Sequence, residues 1–133
     1  MATRTYARSA VIGLLYAYFC GNESIRNFAN DILKDRKIKN AQADFALELF
    51  DGIINNIKDI DNLMAKNIKN WKLEKIGMID KCILRLGIYE LIYNKLQVAI
   101  VINEAIEVAK ILGGDDTPKF VNGILDAISK KNQ

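Results

Sequence analysis

The sequence predicts an all-α fold of about seven helices packed as two small bundles. Apolar residues recur throughout at the spacing of amphipathic helices, and no segment shows the two-residue alternation of a half-buried strand. The chain has 133 residues, of which 50% are hydrophobic and 26% are charged, and a chain of this length can bury one substantial core. We therefore expect residues 1–133 to form a single helical domain.

The first four helices follow from their apolar stripes and from the residues that end them. The first three are expected over Thr3–Phe19, Ser24–Lys34 and Ala41–Lys58. The first ends near Gly21, where glycine interrupts the pattern. A short fourth helix follows Asp59 or Asp61, and either carboxylate could cap it.

A fifth helix is expected over Leu73–Tyr93 and is apolar almost all round. A helix of this kind is typical of the buried centre of a bundle, so we expect both bundles to share it. Glu90 falls on the same face as Ile79 and Ile83. If that face is buried, the carboxylate needs a cationic or hydrogen-bonding partner, and its role is structural rather than catalytic.

The last two helices are separated by a short turn. The sixth is expected over Val98–Leu112, ended by Gly113 and Gly114, because glycine permits the left-handed turn that often follows a helix. Thr117 is expected to cap the seventh helix, with Pro118 at its first position, where the missing N–H is not needed.

No pattern in the chain indicates an enzyme. The chain has no histidine, which removes the commonest general base and the commonest zinc ligand, and it has neither a P-loop nor a dinucleotide-binding fingerprint. Asp115 and Asp116 precede the seventh helix, where negative charge favours the helix dipole, so capping explains them better than a metal does. We expect no catalytic residues, no metal and no cofactor.

The environment of the chain is predicted to be the cytoplasm. Cys20 and Cys82 are isolated cysteines without a metal-binding or redox spacing, as expected of reduced thiols in a cytosolic protein. The apolar run from Ala10 to Cys20 is too short to cross a bilayer, so no membrane association is expected. The net charge of +3 permits an anionic partner without requiring one.

Cations beside aromatic rings suggest a nucleic-acid interface. Arg4 and Arg8 lie four residues apart and therefore share a helical face, while Lys119 and Phe120 open the seventh helix, with Phe120 at the margin of its apolar stripe. Such pairs suit unstacked bases better than a duplex groove. The alternative is that they are solvated cations and rings at the core edge. The candidate RNA-binding residues are Arg4, Arg8, Tyr16, Tyr18, Lys81, Lys110, Lys119, Phe120 and Asn122.

The sixth helix carries a second, weaker signal. Ile100 and Ile111 lie on the side that also carries Glu104 and Glu107. Exposed isoleucines flanked by acids would suit a protein partner, although scattered exposed aliphatic residues are common.

Three segments together resemble the NusB family of bacterial transcription antitermination factors. They are ARSAVIGLLYAY (7–18), IDKCILRLGIYEL (79–91) and INEAIEVAKILGGDDTPKFVNGILD (102–126), in the order the family has them. The last is the most specific, because INEAIE, AK, KFVNG and the closing LD seldom occur together otherwise.

The resemblance implies a non-enzymatic helical protein that binds the boxA element in the leader RNA of ribosomal RNA operons. It would do so together with NusE, a small-subunit ribosomal protein, and would act on elongating RNA polymerase. The family's arginine cluster corresponds to Arg4 and Arg8, its helix-one tyrosine to Tyr16, and its KFVNG segment to residues 119–123. Relatives often carry a run of arginines where this chain has Thr5 and Tyr6, so fewer phosphate contacts are expected.

Two roles remain open for Asn122, which could contact a base edge or hydrogen-bond at the helix start. We expect cations from the two chain ends to meet in a single RNA-binding surface. The alternative function is a helical protein-interaction module or a homodimer without direct RNA binding.

Overall fold

The computed structural model describes residues 3–68 and 75–131, which form seven α-helices and one 3-10 helix, with no strand among them. The helices are α1 (Arg4–Phe19), α2 (Ala29–Asp35), α3 (Ala41–Asn55), α4 (Ile57–Lys66), α5 (Met78–Ile92), α6 (Val98–Leu112) and α7 (Thr117–Lys131). The 3-10 helix (Glu23–Phe28) lies between α1 and α2. The all-α prediction is confirmed, and α6 has the predicted bounds.

The predicted second helix is divided in two. Its first part is the 3-10 helix, which closes with a hydrogen bond from the Ala29 N–H to the carbonyl of Arg26, three residues back. The side chain of Arg26 donates to both carboxylate oxygens of Asp51 on α3, at 2.8 and 3.1 Å. This contact with a distant helix is not encoded in the local apolar spacing, which is why periodicity alone predicted one continuous helix.

The boundary between α3 and α4 also differs from the prediction. At the end of α3 the backbone N–H and the side-chain amide of Asn56 both donate to the carbonyl of Gly52, at 3.1 and 2.8 Å. α4 then begins before Asp59, so neither Asp59 nor Asp61 caps it. Asp61 instead accepts two hydrogen bonds from the guanidinium of Arg85 on α5, at 2.9 and 3.3 Å.

α5 is the centre of the molecule, as its composition predicted. Every residue of the range Cys82–Glu90 is buried, and α5 packs against α1, α3, α4, α6 and α7. Close packing with α7 depends on Gly87, where a Cβ would lie 2.7 Å from Leu125 Cδ1. The predicted start of this helix at Leu73 lies outside the described residues.

Arg8 of α1 is the buried cation that joins three helices. Its Nε and one terminal nitrogen each donate to a different carboxylate oxygen of Glu90 at 2.7 Å, and its other terminal nitrogen donates to Glu104 of α6 at 2.9 Å. Arg8 is 4% exposed and Glu90 2%. Thr5 adds a further bond to Glu104 at 2.9 Å. The predicted requirement of Glu90 for a cationic partner is therefore confirmed.

The prediction that Arg8 contacts phosphate is wrong for the same reason. All three guanidinium nitrogens donate to carboxylates inside the protein. If Arg8 turned outward to a phosphate, Glu90 would remain as a buried charge without a partner. Glu104, expected on a partner-protein face, is likewise turned toward α1 by its bonds to Arg8 and Thr5.

Across residues 3–68 and 75–131, no helix combines the length and the apolar character that crossing a membrane requires.

Replacing Arg8 is expected to affect stability. Arg8→Ala should lower the free energy of unfolding by about 3–5 kcal/mol, because it leaves Glu90 buried without its partner. Urea denaturation followed by circular dichroism measures this change. The matched control is Arg4→Ala, which removes an exposed guanidinium from the same helix and should cost less than about 1 kcal/mol. Equal losses in the two variants would contradict a structural role specific to Arg8.

Candidate nucleic-acid interface

α1 runs antiparallel to α5, so the end of α1 lies beside the start of α5. Arg8, early in α1, reaches Glu90 near the end of α5. Phe19, at the end of α1, lies under the guanidinium of Arg85. The distance from Arg85 Cζ to the centroid of the Phe19 ring is 4.0 Å. Tyr16 is therefore carried toward the first turns of α5, and its side chain is 43% exposed.

The start of α7 is bonded to the same end of α5. The Thr117 hydroxyl donates to Asp80 at 2.9 Å and accepts from the Gly114 N–H at 3.0 Å. The prediction that Thr117 caps α7 is wrong, because Thr117 is already the first residue of the helix. Asp116 precedes it and supplies the carbonyl that accepts from the Phe120 N–H at 3.1 Å.

The turn before α7 needs glycine at position 113, but not for the left-handed backbone conformation that was predicted. Gly113 has a φ of −93°, not a left-handed value. Among the glycines in the described ranges, a positive φ occurs at Gly21 alone. At Gly113 the constraint is space, since a Cβ there would lie 2.6 Å from the Cβ of Thr117.

A cleft of about 510 Å³ opens between the starts of α5 and α7. Its charged lining residues are Lys75, Asp80, Asp115, Asp116 and Lys119. The ring of Phe120 forms part of its apolar wall. The cleft thus combines an aromatic face with charges of both signs, and its cations alone would not give a strong attraction for phosphate.

The first turns of α7 present polar groups outward. Lys119 and Asn122 are exposed and lie three residues apart on one face of the helix. Phe120 is half-buried, as its position at the margin of the apolar stripe predicted. The ring therefore both packs on the protein and lines the cleft.

Lys81 lies in the first turn of α5. It is half-buried and falls in the sequence between Asp80, which bonds to Thr117 of α7, and Cys82, which lies near Tyr16 of α1. We define the α5-start surface as Tyr16, Lys81, Lys119, Phe120 and Asn122.

Two other predicted residues have partners of their own. Tyr18 is half-buried, and its ring packs edge-on against Phe19 and Phe50 at centroid distances of 5.2 and 6.0 Å. Lys110 is exposed on α6 and lies 3.6 Å from Glu107, a contact between two exposed groups that contributes little energy. The ammonium of Lys110 can therefore leave Glu107 and pair with another anion at a small cost in free energy.

The predicted single surface from both chain ends is not what the structure has. Arg4 is exposed, but its guanidinium lies 4.1 Å from the Phe45 ring centroid in a separate cleft of about 420 Å³, which Asn94 also lines. Glu90 also lines that cleft and lies ten residues along α5 from Asp80, which corresponds to roughly 15 Å of helix. Arg4 and Lys119 therefore belong to different clefts, and the buried Arg8 lies on the Arg4 side, with its guanidinium carbon 5.1 Å from the centroid of the same Phe45 ring.

The proposed partner face on α6 retains three of its four residues. Ile100 and Ile111 are 46% and 60% exposed, and Glu107 is also exposed. Glu104 is committed to Arg8 instead. The predicted exposure of the two isoleucines is confirmed.

Reasoning from the sequence missed Lys75 and Asp80, which line the cleft. A polar residue in the first turn of a helix ordinarily serves the helix dipole, so nothing local distinguishes Asp80 from that role. Its bond to Thr117 crosses 37 positions of the chain. In the described part of the chain, no group of three His, Cys, Asp or Glu side chains could hold a metal.

Two acidic groups near the α5-start surface hold their protons more tightly than usual. A hydrogen bond with the Cys20 thiol raises the pKa of the Tyr16 hydroxyl. Burial raises the pKa of Cys82 to about 11, although the nearby Arg85 guanidinium opposes the shift. Both groups are therefore neutral around pH 7 and add no negative charge that would repel an anion.

Comparison with known proteins places the chain among close relatives. The NusB family model matches residues 5–130. The transcription antitermination protein NusB of Nitratiruptor sp. is 56% identical over 98% of this chain and 94% of its own length. The protein of the same name from Wolinella succinogenes is 50% identical over 96% of this chain and 95% of its own.

Solved structures give the same result. NusB from T. maritima aligns with a TM-score of 0.87 at 34% identity, covering 98% of this chain and 92% of that one. The structure of antitermination factors NusB and NusE in complex with dsRNA aligns with a TM-score of 0.85 at 28% identity, covering 96% of each chain. The resemblance seen in the three sequence segments is confirmed.

The two cysteines are expected to differ in reactivity. At about pH 8, Cys20 should react with a thiol reagent such as DTNB, whereas Cys82 should not, because it is buried and its raised pKa keeps it protonated. Absorbance should report about one thiol in the folded protein and both after unfolding in urea. Cys20→Ser should abolish the native reaction and Cys82→Ala should preserve it. Rapid reaction of both thiols in the folded protein would contradict the arrangement.

Proposed function

We propose that this chain, which belongs to the NusB family, binds boxA-type leader RNA of ribosomal RNA operons through the α5-start surface. It is a transcription antitermination protein of that family and not an enzyme. The observation that supports RNA binding is its similarity, along nearly the whole chain, to a NusB that was solved with NusE and dsRNA; the choice of an unpaired strand rests instead on the accessible rings of Tyr16 and Phe120. Residues 1–133 would act as one RNA-binding domain.

The chemistry of the α5-start surface supports this proposal. Lys119 and Lys81 supply cations, the Phe120 ring lines the cleft at the start of α5, and the exposed Tyr16 ring lies near Cys82 of the same helix. Aromatic faces bind unpaired bases by stacking, which a duplex would not permit without opening. We therefore expect a preference for an unpaired strand. Asn122, exposed one turn after Lys119, is available for a base edge.

The supply of cations sets the expected strength of RNA binding. Arg8 is withdrawn into the core, while Asp80, Asp115 and Asp116 add negative charge to the cleft. Each phosphate contact on a single strand contributes about 0.7 to the salt dependence of binding. RNA binding by this chain alone should therefore be weak and only moderately sensitive to salt. Lys110 on α6, and Arg4 at the far cleft, could add contacts along a longer RNA.

A protein partner would supply the remaining affinity. The partner proposed is the ribosomal protein NusE, bound on the exposed face of α6 formed by Ile100, Glu107 and Ile111. The complex would act in the cytoplasm on elongating RNA polymerase. Apolar residues flanked by charge are what a protein interface commonly uses, and a second copy of this chain could use the same face.

Truncating Phe120 tests the RNA site. Phe120→Ala should weaken binding of a short boxA-type single strand by about 1–3 kcal/mol, because one stacked base loses its platform. Fluorescence anisotropy at fixed salt measures the affinity. The matched control is Phe28→Ala, which removes an aromatic ring that is 54% exposed on the 3-10 helix and should leave the affinity unchanged.

Comparing the single strand with its duplex completes this test. Loss of affinity for the single strand in the Phe120 variant alone supports stacking at the α5-start surface. Unchanged RNA affinity with a lowered thermal midpoint would assign the ring to the core and overturn the proposed site. Equal affinities for the single strand and its duplex would exclude recognition of unstacked bases.

The α6 face is tested separately. Ile111→Glu should weaken co-purification of NusE at least about tenfold, because it places a charge at the centre of an apolar contact. Phe28→Glu makes the same change at another exposed apolar residue and should have no effect. Retained NusE binding would remove α6 from the partner interface, and a shift from dimer to monomer in the Ile111 variant would instead support self-association.

A further inference from the structure

Thr117 makes two hydrogen bonds from a buried position between α5 and α7. The residue is 4% exposed, and its hydroxyl donates to Asp80 and accepts from the Gly114 N–H. A hydroxyl has a single donor, so the bond to Asp80 uses the only proton that Thr117 can offer. No neighbouring position on α7 could supply the same bond, because a shift of one residue turns the side chain by about 100°.

The turn between α6 and α7 is built tightly around this threonine. The Gly113 position leaves no space for a side chain, since its Cβ would meet the Cβ and Cγ2 of Thr117 at 2.6 Å each. The turn therefore contacts Thr117 on one side, while Asp80 holds it on the other. Movement of the start of α7 relative to α5 would break one of these contacts.

The bond lies next to the residues of the α5-start surface. Thr117 precedes Lys119 by two positions and Phe120 by three, so the Phe120 side chain lies on nearly the same side of α7. Asp80 directly precedes Lys81 on α5. The bond between Thr117 and Asp80 thus fixes the start of α7, with Lys119 and Phe120, relative to the start of α5. Both bonded residues line the cleft that Phe120 and Lys119 also line.

We infer that Asp80 and Thr117 are positioning residues for RNA binding, holding Lys119 and Phe120 of α7 against the start of α5. This inference rests on the proposed function of the α5-start surface. The bond contributes to affinity because a stacking ring that is held in place loses less freedom when the base arrives. Asp80 acts through the threonine and not by touching RNA, to which its negative charge is unfavourable.

The inference differs from a purely structural role in what it predicts for the folded protein. A bond that only stabilises the fold would change the thermal midpoint and leave the affinity of folded molecules for RNA as it was. If the bond positions Phe120, its loss weakens RNA binding by folded molecules, and the weakening is large only when the Phe120 ring is present. Energetic coupling between Thr117 and Phe120 is therefore the decisive quantity.

The experiment measures binding of the short boxA-type single strand by fluorescence anisotropy, at a temperature where circular dichroism shows every variant folded. Thr117→Val keeps the shape of the side chain but removes the hydroxyl. It should raise the Kd for RNA about tenfold, a change of the size commonly found when residues in contact are uncoupled. Asp80→Ala should also weaken binding, but by less, because it removes a negative charge that is unfavourable to RNA. Thr117→Ser keeps the hydroxyl and should restore most of the affinity.

Two controls make the result specific. Ser129→Ala removes another buried hydroxyl of α7, one that donates to the Asp126 carbonyl at 2.8 Å, and should leave RNA affinity unchanged. In a Phe120→Ala background, adding Thr117→Val should cost no more than about twofold, because the ring to be positioned is already absent.

Each outcome decides between the possibilities. If Phe120→Ala weakens binding but Thr117→Val does not, the positioning role is overturned while the proposed RNA site stands. Fully additive losses from the two changes would also overturn it. If Phe120→Ala itself has no effect on RNA affinity, the proposed site fails, and the positioning inference fails with it.

Discussion

Arg8 reaches from α1 to Glu90 of α5 and Glu104 of α6, and this contact joins the three helices. The stretch Cys82–Glu90 of α5 is buried on all sides, so a carboxylate on it must be neutralised from within the protein. Arg8 provides a planar, paired hydrogen bond that a lysine could not reproduce. The alignment of α1 along α5 follows from this contact at one end and from Phe19 under Arg85 at the other.

That alignment determines where RNA can be bound. Arg4 and Arg8 both lie over the Phe45 ring, but Arg8 is buried and paired with Glu90 and Glu104, so only Arg4 of the two presents an exposed cation at the far cleft. The antiparallel path of α1 brings Tyr16 to the opposite end of α5, where the bond between Thr117 and Asp80 brings α7. Cations and rings therefore gather around the start of α5, with acids among them. An interface of this composition relies on stacking and on a protein partner more than on charge.

The fold could be predicted further than the site. The all-round apolar character of residues 76–92 was enough to place α5 at the centre, and the unpaired Glu90 on it was enough to predict a buried partner. The spacing of Ile100 and Ile111 predicted their exposure, and the position of Phe120 predicted a half-buried ring. What periodicity could not reveal is which cation serves Glu90, because Arg4 and Arg8 share a helical face and their difference arises from contacts more than 80 residues away. The same limit applies to Thr117, whose local context indicates a cap while its actual acceptor lies on another helix.

Photo-cross-linking tests the central claim, that RNA lies at the start of α5 and not beside the amino-terminal arginines. The folded protein would be irradiated with a short boxA-type strand, and the cross-linked residues would be identified by mass spectrometry. The account predicts adducts at Phe120 and Tyr16. Adducts confined to Tyr6 and Phe45, around Arg4, would contradict it.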